Sequence, residues 1–408
     1  MIKNVAVIGG GASGYFFAIN LALNCSDVKI TIFEKTSKIL TKVKVSGGGR
    51  CNVTNAVSAP NKLAENYPRG KVFLKKLFTK FSSSDTIKWF ENQGIILKTE
   101  PDNRIFPESD SSQTIIDCFT RIADKYRIEL RYNAPVEFIQ PTENKLKLNS
   151  SELFDYVFVG AGGNSKLEGY NWIDEMNHTI QHPLPSLFTF NIPDKALKGL
   201  EGVAVQNVRM KVEKSNLQSE GAFLVTHWGI SGPAVLKLSA WGAEELAAIN
   251  YTFRVFVNFV PSVNPEITRS EIASFKENNK NKLVYGHRLF DLPSRLWERL
   301  VELSEIDKTL KWCDLSKQSL NKLAENLTNF PFDTRGKTTF KEEFVTCGGV
   351  SLEEVNNETM ESFKIPNVYF GGEVLNIDGI TGGFNFQAAW STSWVAAQEV
   401  AKKINAIT

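Results

Sequence analysis

The stretch NVAVIGGGASGYFFAINLALNCSDVKITIFEK, residues 4–35, decides how this chain is read. Val5, Ala6, Val7 and Ile8 form a short apolar run bounded by glycine, the pattern of a buried parallel strand. Gly9, Gly11 and Gly14 follow in the spacing G-x-G-x-x-G. The first glycine permits a tight turn, the second lets backbone approach a pyrophosphate, and the third lets a helix pack closely on the strand. Residues 15–23 read as that helix, whose N-terminus offers free N–H groups and partial positive charge. Residues 28–33 read as a second strand, with Glu34 at its end, placed to accept hydrogen bonds from a ribose diol. A glycine-rich turn alone is common. Strand, turn, helix, strand and terminal acid in this order within about 30 residues are not. Glu34 would repel a 2′-phosphate, so the expected ligand is an adenine dinucleotide with a free ribose, FAD or NAD.

A second glycine stretch, Ser46-Gly47-Gly48-Gly49-Arg50-Cys51-Asn52-Val53-Thr54-Asn55, follows a loop. Consecutive glycines can expose backbone amides as an anion cradle. Arg50 can pair with phosphate, and Asn52, Thr54 and Asn55 add short donors and acceptors. Further on, residues 154–159 form a third apolar run leading into Gly160, Ala161, Gly162 and Gly163. Small residues at the C-terminal end of such a strand are where a doubly wound sheet admits a ligand. Near the end, residues 368–370 lead into Gly371, Gly372 and Glu373, then Asp378, Gly382, Gly383 and Asn385. A helix is expected from about 387 to 404. A glycine pair before a long helix aims N–H groups at an anion or an electron-rich atom, which in a flavin site is the N1/O2 edge.

The chain has 408 residues, more than one core usually spans. It is 42% hydrophobic and 23% charged, ordinary for a water-soluble fold. The 47 basic and 45 acidic residues leave a net charge of +2, which gives no case for a nucleic-acid partner. Cys25, Cys51, Cys118, Cys313 and Cys347 are scattered, with no C-x-x-C, so neither a redox-active disulfide motif nor a zinc-finger spacing is present. Such thiols suit a reducing compartment. With a strand starting almost at once and no run of about 18 apolar residues, no signal peptide or membrane span is expected, and the protein is expected in the cytoplasm. No metal site is expected.

Between the glycine motifs, helices are expected at 72–81, 84–93 and 113–125, and strands at 95–98, 128–132, 135–139 and 145–149. From about residue 186 the composition turns β-rich, with runs at 203–212, 221–226 and 251–260 and the interruption Thr226-His227-Trp228-Gly229-Ile230-Ser231-Gly232-Pro233. Three helical segments follow, at 266–276, 293–304 and 316–327. The expected organisation is α/β. A Rossmann-like dinucleotide-binding domain is built from both chain ends (1–185 and 340–408). An inserted β-rich domain spans 186–262 and a small helical subdomain 263–339.

Taken together, Ser46 to Asn55, Thr226 to Pro233 and Gly371 to Asn385 resemble the bacterial aminoacetone-oxidase family of FAD-binding flavoproteins. That family is itself similar to the glutathione-reductase-like flavoprotein superfamily. Residues 104–107, Thr346-Cys347-Gly348-Gly349-Val350 and 359–362 resemble further segments of it, and the likeness runs in order along nearly the whole chain. The resemblance implies FAD, with Gly9, Gly11, Ser13 and Gly14 on the pyrophosphate, Glu34 on the adenosine ribose, and Val136 meeting adenine through its backbone. It implies that Ser46, Gly47, Gly48, Arg50, Cys51, Asn52 and Thr54, with Glu373, Asp378, Gly382, Gly383 and Asn385, line the ribityl chain and ring. Ala12, Lys35, Lys42, Ala161, Gly162, Gly163 and Gly372 complete the candidate cofactor set. Asn376 stands where the family carries an acid, which makes Asp378 the candidate ribityl contact.

The expected activity is that of an FAD-dependent oxidoreductase acting on a small molecule. No second G-x-G-x-x-G in strand context marks a nicotinamide domain, so NADH or NADPH, as electron donor, would visit the flavin transiently. Alternatives are a flavin-dependent amine oxidase, an NAD-dependent dehydrogenase without flavin, and a non-catalytic FAD-binding or nucleic-acid-interacting protein. His227 is the candidate acid/base group, and Arg104 the candidate for binding a substrate anion.

Overall fold

The first strand, β1 (Lys3–Ile8), is buried over its last four residues, as an apolar run with no alternation requires. Helix α1 (Ala12–Asn24) returns along the sheet, and β2 (Val28–Phe33) pairs parallel to β1 with Val5 opposite Ile30. A short helix, α2 (Lys71–Leu77), lies between the glycine motif at 46–55 and a capped helix, Ser83–Asn92. Strands β3 (Glu129–Arg131), β4 (Tyr156–Val159) and β5 (Val368–Phe370) complete a five-stranded parallel sheet in the order β5-β4-β1-β2-β3. The chain closes with α3 (Phe384–Asn405). These elements come from a computed structural model, which describes residues 2–149, 152–193, 195–339 and 345–406.

The molecule is a mixed α/β protein with a Rossmann-like parallel sheet and additional antiparallel sheets. Its chain divides into two compact units, 1–186 with 340–408, and 187–339.

In the first unit, α1 and α3 pack on each other around Phe16. The Phe16 ring meets those of Trp89 (4.6 Å), Trp390 (5.0 Å) and Phe81 (5.8 Å). Aromatic rings in tilted and edge contact bury large areas and fix helix positions. The buried Ser13 and Ser393 hydroxyls, 2.7 Å apart, tie the N-terminal turn of α1 to α3. Three small antiparallel sheets complete the unit, among them Ile180–Ser186 paired with Val345–Val350.

Residues 135–139, expected as a strand, make no ladder before Ile139. Pro135 has no N–H to give, and the Asn149 side chain stands in for a partner strand. It donates to the Pro135 carbonyl (3.0 Å) and accepts from the Glu137 N–H (2.9 Å). The loop expected after Glu34 instead contains a helix, Thr41–Gly49, that kinks at Ser46–Gly48.

The second unit is a seven-stranded sheet. Ala204–Val212, Gln218–Val225 and Thr252–Asn258 lie near its middle, and Lys337–Thr338 forms one edge. Helices Pro265–Asn278, Ser294–Leu303 and Lys317–Thr328 share one hydrophobic core with that sheet. The second of these buries Leu296, Trp297, Leu300 and Val301 on one face. That stripe needs an apolar partner, and it lies in the same hydrophobic core as Leu323 and Leu327 of the third helix and Val255, Val257 and Phe332 of the sheet. The stretch after the helices returns to the same sheet as Phe330–Arg335, so 263–339 has no core of its own.

Candidate functional site

The three motif glycines are held for three different reasons. Gly9 sits at φ +106°, and a methyl group there would lie 2.5 Å from the Gly160 carbonyl oxygen. At Gly14 a methyl group would lie 2.0 Å from the Gly9 oxygen, so glycine is what lets α1 seat on β1. At Gly11 a methyl group would meet nothing within 4 Å. Its φ of −91° is open to any residue, so the space itself is what glycine leaves there. Gly11 is also the N-cap of α1, with no side-chain cap and no acid in the first turn. The N–H groups beside Ala12 and Ser13 therefore face a gap that suits a pyrophosphate.

Glu34 ends β2 and holds the turn: one carboxylate oxygen accepts from the Gly10 N–H (2.9 Å), the other from the Thr36 N–H (2.9 Å) and hydroxyl (2.8 Å). Beside it opens a cleft lined wholly by residues of the first unit. Glu34, Lys35, Val136, Ala161, Gly162 and Gly163 line it, as expected. Asn164, Tyr170 and Trp172 line it too, and no glycine spacing announces them. Burial pushes the Tyr170 phenol up to about 12, so it stays protonated, accepting from the Asn164 N–H at 2.8 Å.

Lys42 reaches Glu373 (2.5 Å), whose other oxygen accepts from the Thr346 N–H (2.9 Å). A methyl group at Gly163 would strike the Thr346 hydroxyl at 2.3 Å. That hydroxyl is buried and has no hydrogen-bond partner among the described residues. An orphaned buried donor is costly, and here it sits beside the open cleft. The Gly11 gap, the Thr346 hydroxyl and Glu34 fit the phosphates, hydroxyls and ribose of an adenine dinucleotide.

The second glycine motif is open in the same sense. Gly47, Gly48 and Gly49 stand consecutively at φ +59°, +70° and +85°, and methyl groups at Gly48 and Gly49 would meet nothing within 4 Å. The Ser46 hydroxyl is turned inward to the Val43 carbonyl (2.9 Å).

The polar residues after the glycines are committed to protein rather than left free. Arg50 pairs with Glu100 (2.6 Å) and Asp110 (3.4 Å) and stacks 4.0 Å over Phe106, so it is not left free for a phosphate as expected. Arg104 joins the same cluster through Glu100 (2.9 Å) and Asp102 (2.7 Å). Thr54 donates to the buried Gln387 (2.5 Å) and Asn55 to the Gly382 carbonyl (3.0 Å). In the amide orientation that satisfies both its ends, Asn52 accepts from the Gly383 N–H (2.9 Å). Asn385 clasps Gly379 through both its N–H and carbonyl. These side chains therefore stitch the 46–55 loop to the C-terminal loop and shape the cradle. Cys51 is fully buried, and burial pushes its thiol up to about 12, which removes it as a nucleophile.

Asp378 also departs from expectation. It is fully buried and forms a two-pronged ion pair with Arg69, with Ser186 donating at 2.6 Å. A buried carboxylate needs such a partner, and this one is committed to Arg69 rather than left free for a ribityl chain. Asn376 accepts from the Gly348 N–H (3.1 Å). His227 lies in the second unit, exposed in the turn between Gln218–Val225 and Gly229–Ser231, with its ring 6.2 Å from that of the half-exposed Trp228.

Comparison with known proteins adds to this geometry. The family model described as HI0933-like protein Rossmann domain matches residues 3–399. The chain belongs to that family. HI0933-like proteins are FAD-binding oxidoreductases, and FAD is the cofactor here. Over 410 residues, 97% of each chain, the protein is 30% identical to the ribosomal RNA dihydrouridine synthase of Escherichia coli (strain K12). It is 25% identical to the 3-dehydro-bile acid delta(4,6)-reductase of Clostridium scindens, covering 98% of this chain and 100% of the relative. Neither is named for amine oxidation, and the bile-acid relative is named a reductase. Among solved structures, the 3-ketosteroid delta1-dehydrogenase of Sterolibacterium denitrificans shares the fold. Its TM-score is 0.51 at 12% identity, with 98% of this chain and 100% of that one covered. No described helix is long and apolar enough to cross a membrane. Among the described residues no three His, Cys, Asp or Glu side chains group to hold a metal ion.

Proposed function

We propose that this HI0933-like protein reduces a carbon–carbon double bond conjugated to a carbonyl, with uridine in ribosomal RNA as its substrate. The observation that carries the reading is the end-to-end likeness to a ribosomal RNA dihydrouridine synthase. The bile-acid relative supports the reaction class. Uridine C5=C6 is conjugated to the C4 carbonyl, and the Δ4,6 bonds of a 3-oxo steroid to theirs, so both names describe saturation of an electron-poor alkene. The proposed substrate is a polyanion, where a small molecule and no nucleic-acid partner were expected on a chain of net charge +2.

Bound FAD supplies two-electron hydride chemistry. In the balanced reaction a hydride equivalent reaches the carbon β to the carbonyl and a proton reaches the α carbon. NADH or NADPH, oxidised to the nicotinamide cation, provides the electrons. Gly11 and the first turn of α1 would hold the pyrophosphate, Glu34 the adenosine ribose, and Lys42, Glu373 and Thr346 the polar middle of the cofactor. His227 is the proposed proton donor. Arg104, tied to Glu100 and Asp102, is proposed to brace the 46–55 loop rather than to bind substrate.

The test is anaerobic incubation of the FAD-loaded protein with NADH or NADPH and ribosomal RNA from cells lacking it. Nucleosides are then analysed by mass spectrometry. Dihydrouridine should form with one of the two donors. Its absence with both, despite bleaching of the flavin band, would sink the RNA reading and leave a reductase of another enone.

A further inference from the structure

Helix α2 and its flanks carry a charge that the chain as a whole does not. Residues 58–81 contain six basic side chains (Lys62, Arg69, Lys71, Lys75, Lys76 and Lys80) against one acid, Glu65. The five lysines are exposed, around the 85% exposed Val72. Lys76 pairs with Glu358, and Lys80 donates to the Glu358 carbonyl (2.8 Å). Lys62, Lys71 and Lys75 have no ion-pair partner among the described residues.

This pattern works against the helix that carries it. Lys71 opens the first turn, where the helix dipole disfavours a cation, and no acid balances it. Lys71 and Lys75 are same-sign neighbours four residues apart, a spacing that repels on a helix surface. The helix is only seven residues long and cannot sustain itself. What holds it is its other face: Phe73, Leu74 and Leu77 are buried.

It is also fastened to the cofactor loop. Arg69 pairs with Asp378, the Tyr67 hydroxyl donates to the Phe384 carbonyl (2.6 Å), and the Ile380 N–H donates to the Asn66 carbonyl (3.0 Å). An unfavourable cluster of cations on a rigidly anchored helix, beside the loop that opens α3, calls for an anionic partner.

We propose that the exposed lysines of α2 and its flanks (Lys71 and Lys75, with Lys62, Lys76 and Lys80) form the docking surface for the phosphate backbone of the ribosomal RNA substrate. This rests on the RNA reading above. The lysines act as point charges that position the strand without reading its sequence, and the buried Arg69–Asp378 pair keeps that surface in register with the cofactor loop.

The test uses the FAD-loaded full chain and ribosomal RNA from cells lacking the protein, with binding measured by filter retention between about 50 and 200 mM salt. Lys71→Ala/Lys75→Ala removes two charges from exposed positions. Flavin absorbance and melting temperature check that it folds, and Lys125→Ala/Lys402→Ala is the control for lost charge elsewhere. The slope of log affinity against log salt should flatten by about 1.4 for two contacts to single-stranded RNA, and affinity near 0.1 M salt should fall about 25-fold. Dihydrouridine formation at limiting RNA should fall with it, and the control doublet should behave as wild type. If wild type binds and modifies the RNA while the α2 doublet keeps its slope and affinity, the docking surface is refuted and the RNA reading stands. If wild type neither binds nor modifies the RNA, both fall together.

Discussion

Gly11 and Gly14 belong to one motif, yet they should fail in different ways. A methyl group at Gly11 would meet nothing within 4 Å of protein, and the φ of −91° there accommodates alanine. Gly11→Ala should therefore cost the apoprotein no more than the modest glycine-to-alanine penalty at an N-cap, about 0.5 kcal/mol. In the proposed cofactor site the same methyl group would stand where the pyrophosphate meets the first turn of α1. Losing one charge-assisted hydrogen bond is worth about 1.5–3 kcal/mol, so FAD affinity should fall roughly 10- to 100-fold. At Gly14 the methyl group would lie 2.0 Å from the Gly9 carbonyl oxygen, and the obstacle is backbone that cannot rotate aside. Gly14→Ala should reach the upper end of overpacking costs, about 3 kcal/mol, which lowers the melting temperature by roughly 6–12 °C in a unit of this size. Because bound FAD itself raises the melting temperature, both variants are melted as apoprotein, and FAD is titrated back by the quenching of its fluorescence. The argument fails if Gly11→Ala rebinds FAD as wild type does, or if the two apoproteins melt equally low.

Three further outcomes follow from the same contacts. Arg69→Ala strands the buried Asp378 carboxylate and should destabilise the protein by about 3–5 kcal/mol, with much of that recovered in Arg69→Met/Asp378→Leu. Burial already pushes the Asp378 carboxyl up, against the pull of Arg69. A carboxyl raised in the folded state contributes stability at low pH that is lost as pH rises, so the Arg69→Ala deficit should be smaller at pH 5 than at pH 8; equal deficits would refute the account. Cys51, fully buried with its thiol pushed up to about 12, should resist a disulfide reagent at pH 8 in the native protein, while the exposed Cys313 reacts; peptide mapping that finds Cys51 labelled first would overturn this. His227→Ala should lower turnover about 100-fold while flavin content stays full, and unchanged turnover would remove His227 from the chemistry.

The parallel sheet and the first glycine motif were legible because their information is local. Strand, turn, helix and acid fall within residues 4–35, and each glycine has a reason that spacing alone can state. The uses of Asn52, Thr54, Asn385 and Arg50 were not legible in the same way. Short polar residues beside glycines look as though they face a ligand. Here Thr54 meets Gln387 across 333 positions, and Arg50 meets Glu100 across 50. No local pattern announces which distant residue will satisfy a polar group that folding buries. The general rule that buried polar groups find partners says only that one exists.

The same rule separates the residues that build the cradle from those left to meet its contents. A motif side chain whose hydrogen bonds are already made within the protein (Asn52, Thr54, Asn385, Asp378) sets the shape of the site. What remains unspent is proposed to meet the cofactor: the backbone N–H groups around Gly11 and the open glycines at 48 and 49, with the orphaned Thr346 hydroxyl buried beside Gly163 at the cleft. Thr346 precedes the Gly348-Gly349 pair, but nothing in that spacing marks its hydroxyl, which only the fold shows orphaned against Gly163, where a methyl group would strike it. The lysines of α2 follow the same logic on the surface. Lys71 and Lys75 have no ion-pair partner among the described residues, and a helix that bears them at electrostatic cost is better explained by what it meets than by what it stabilises.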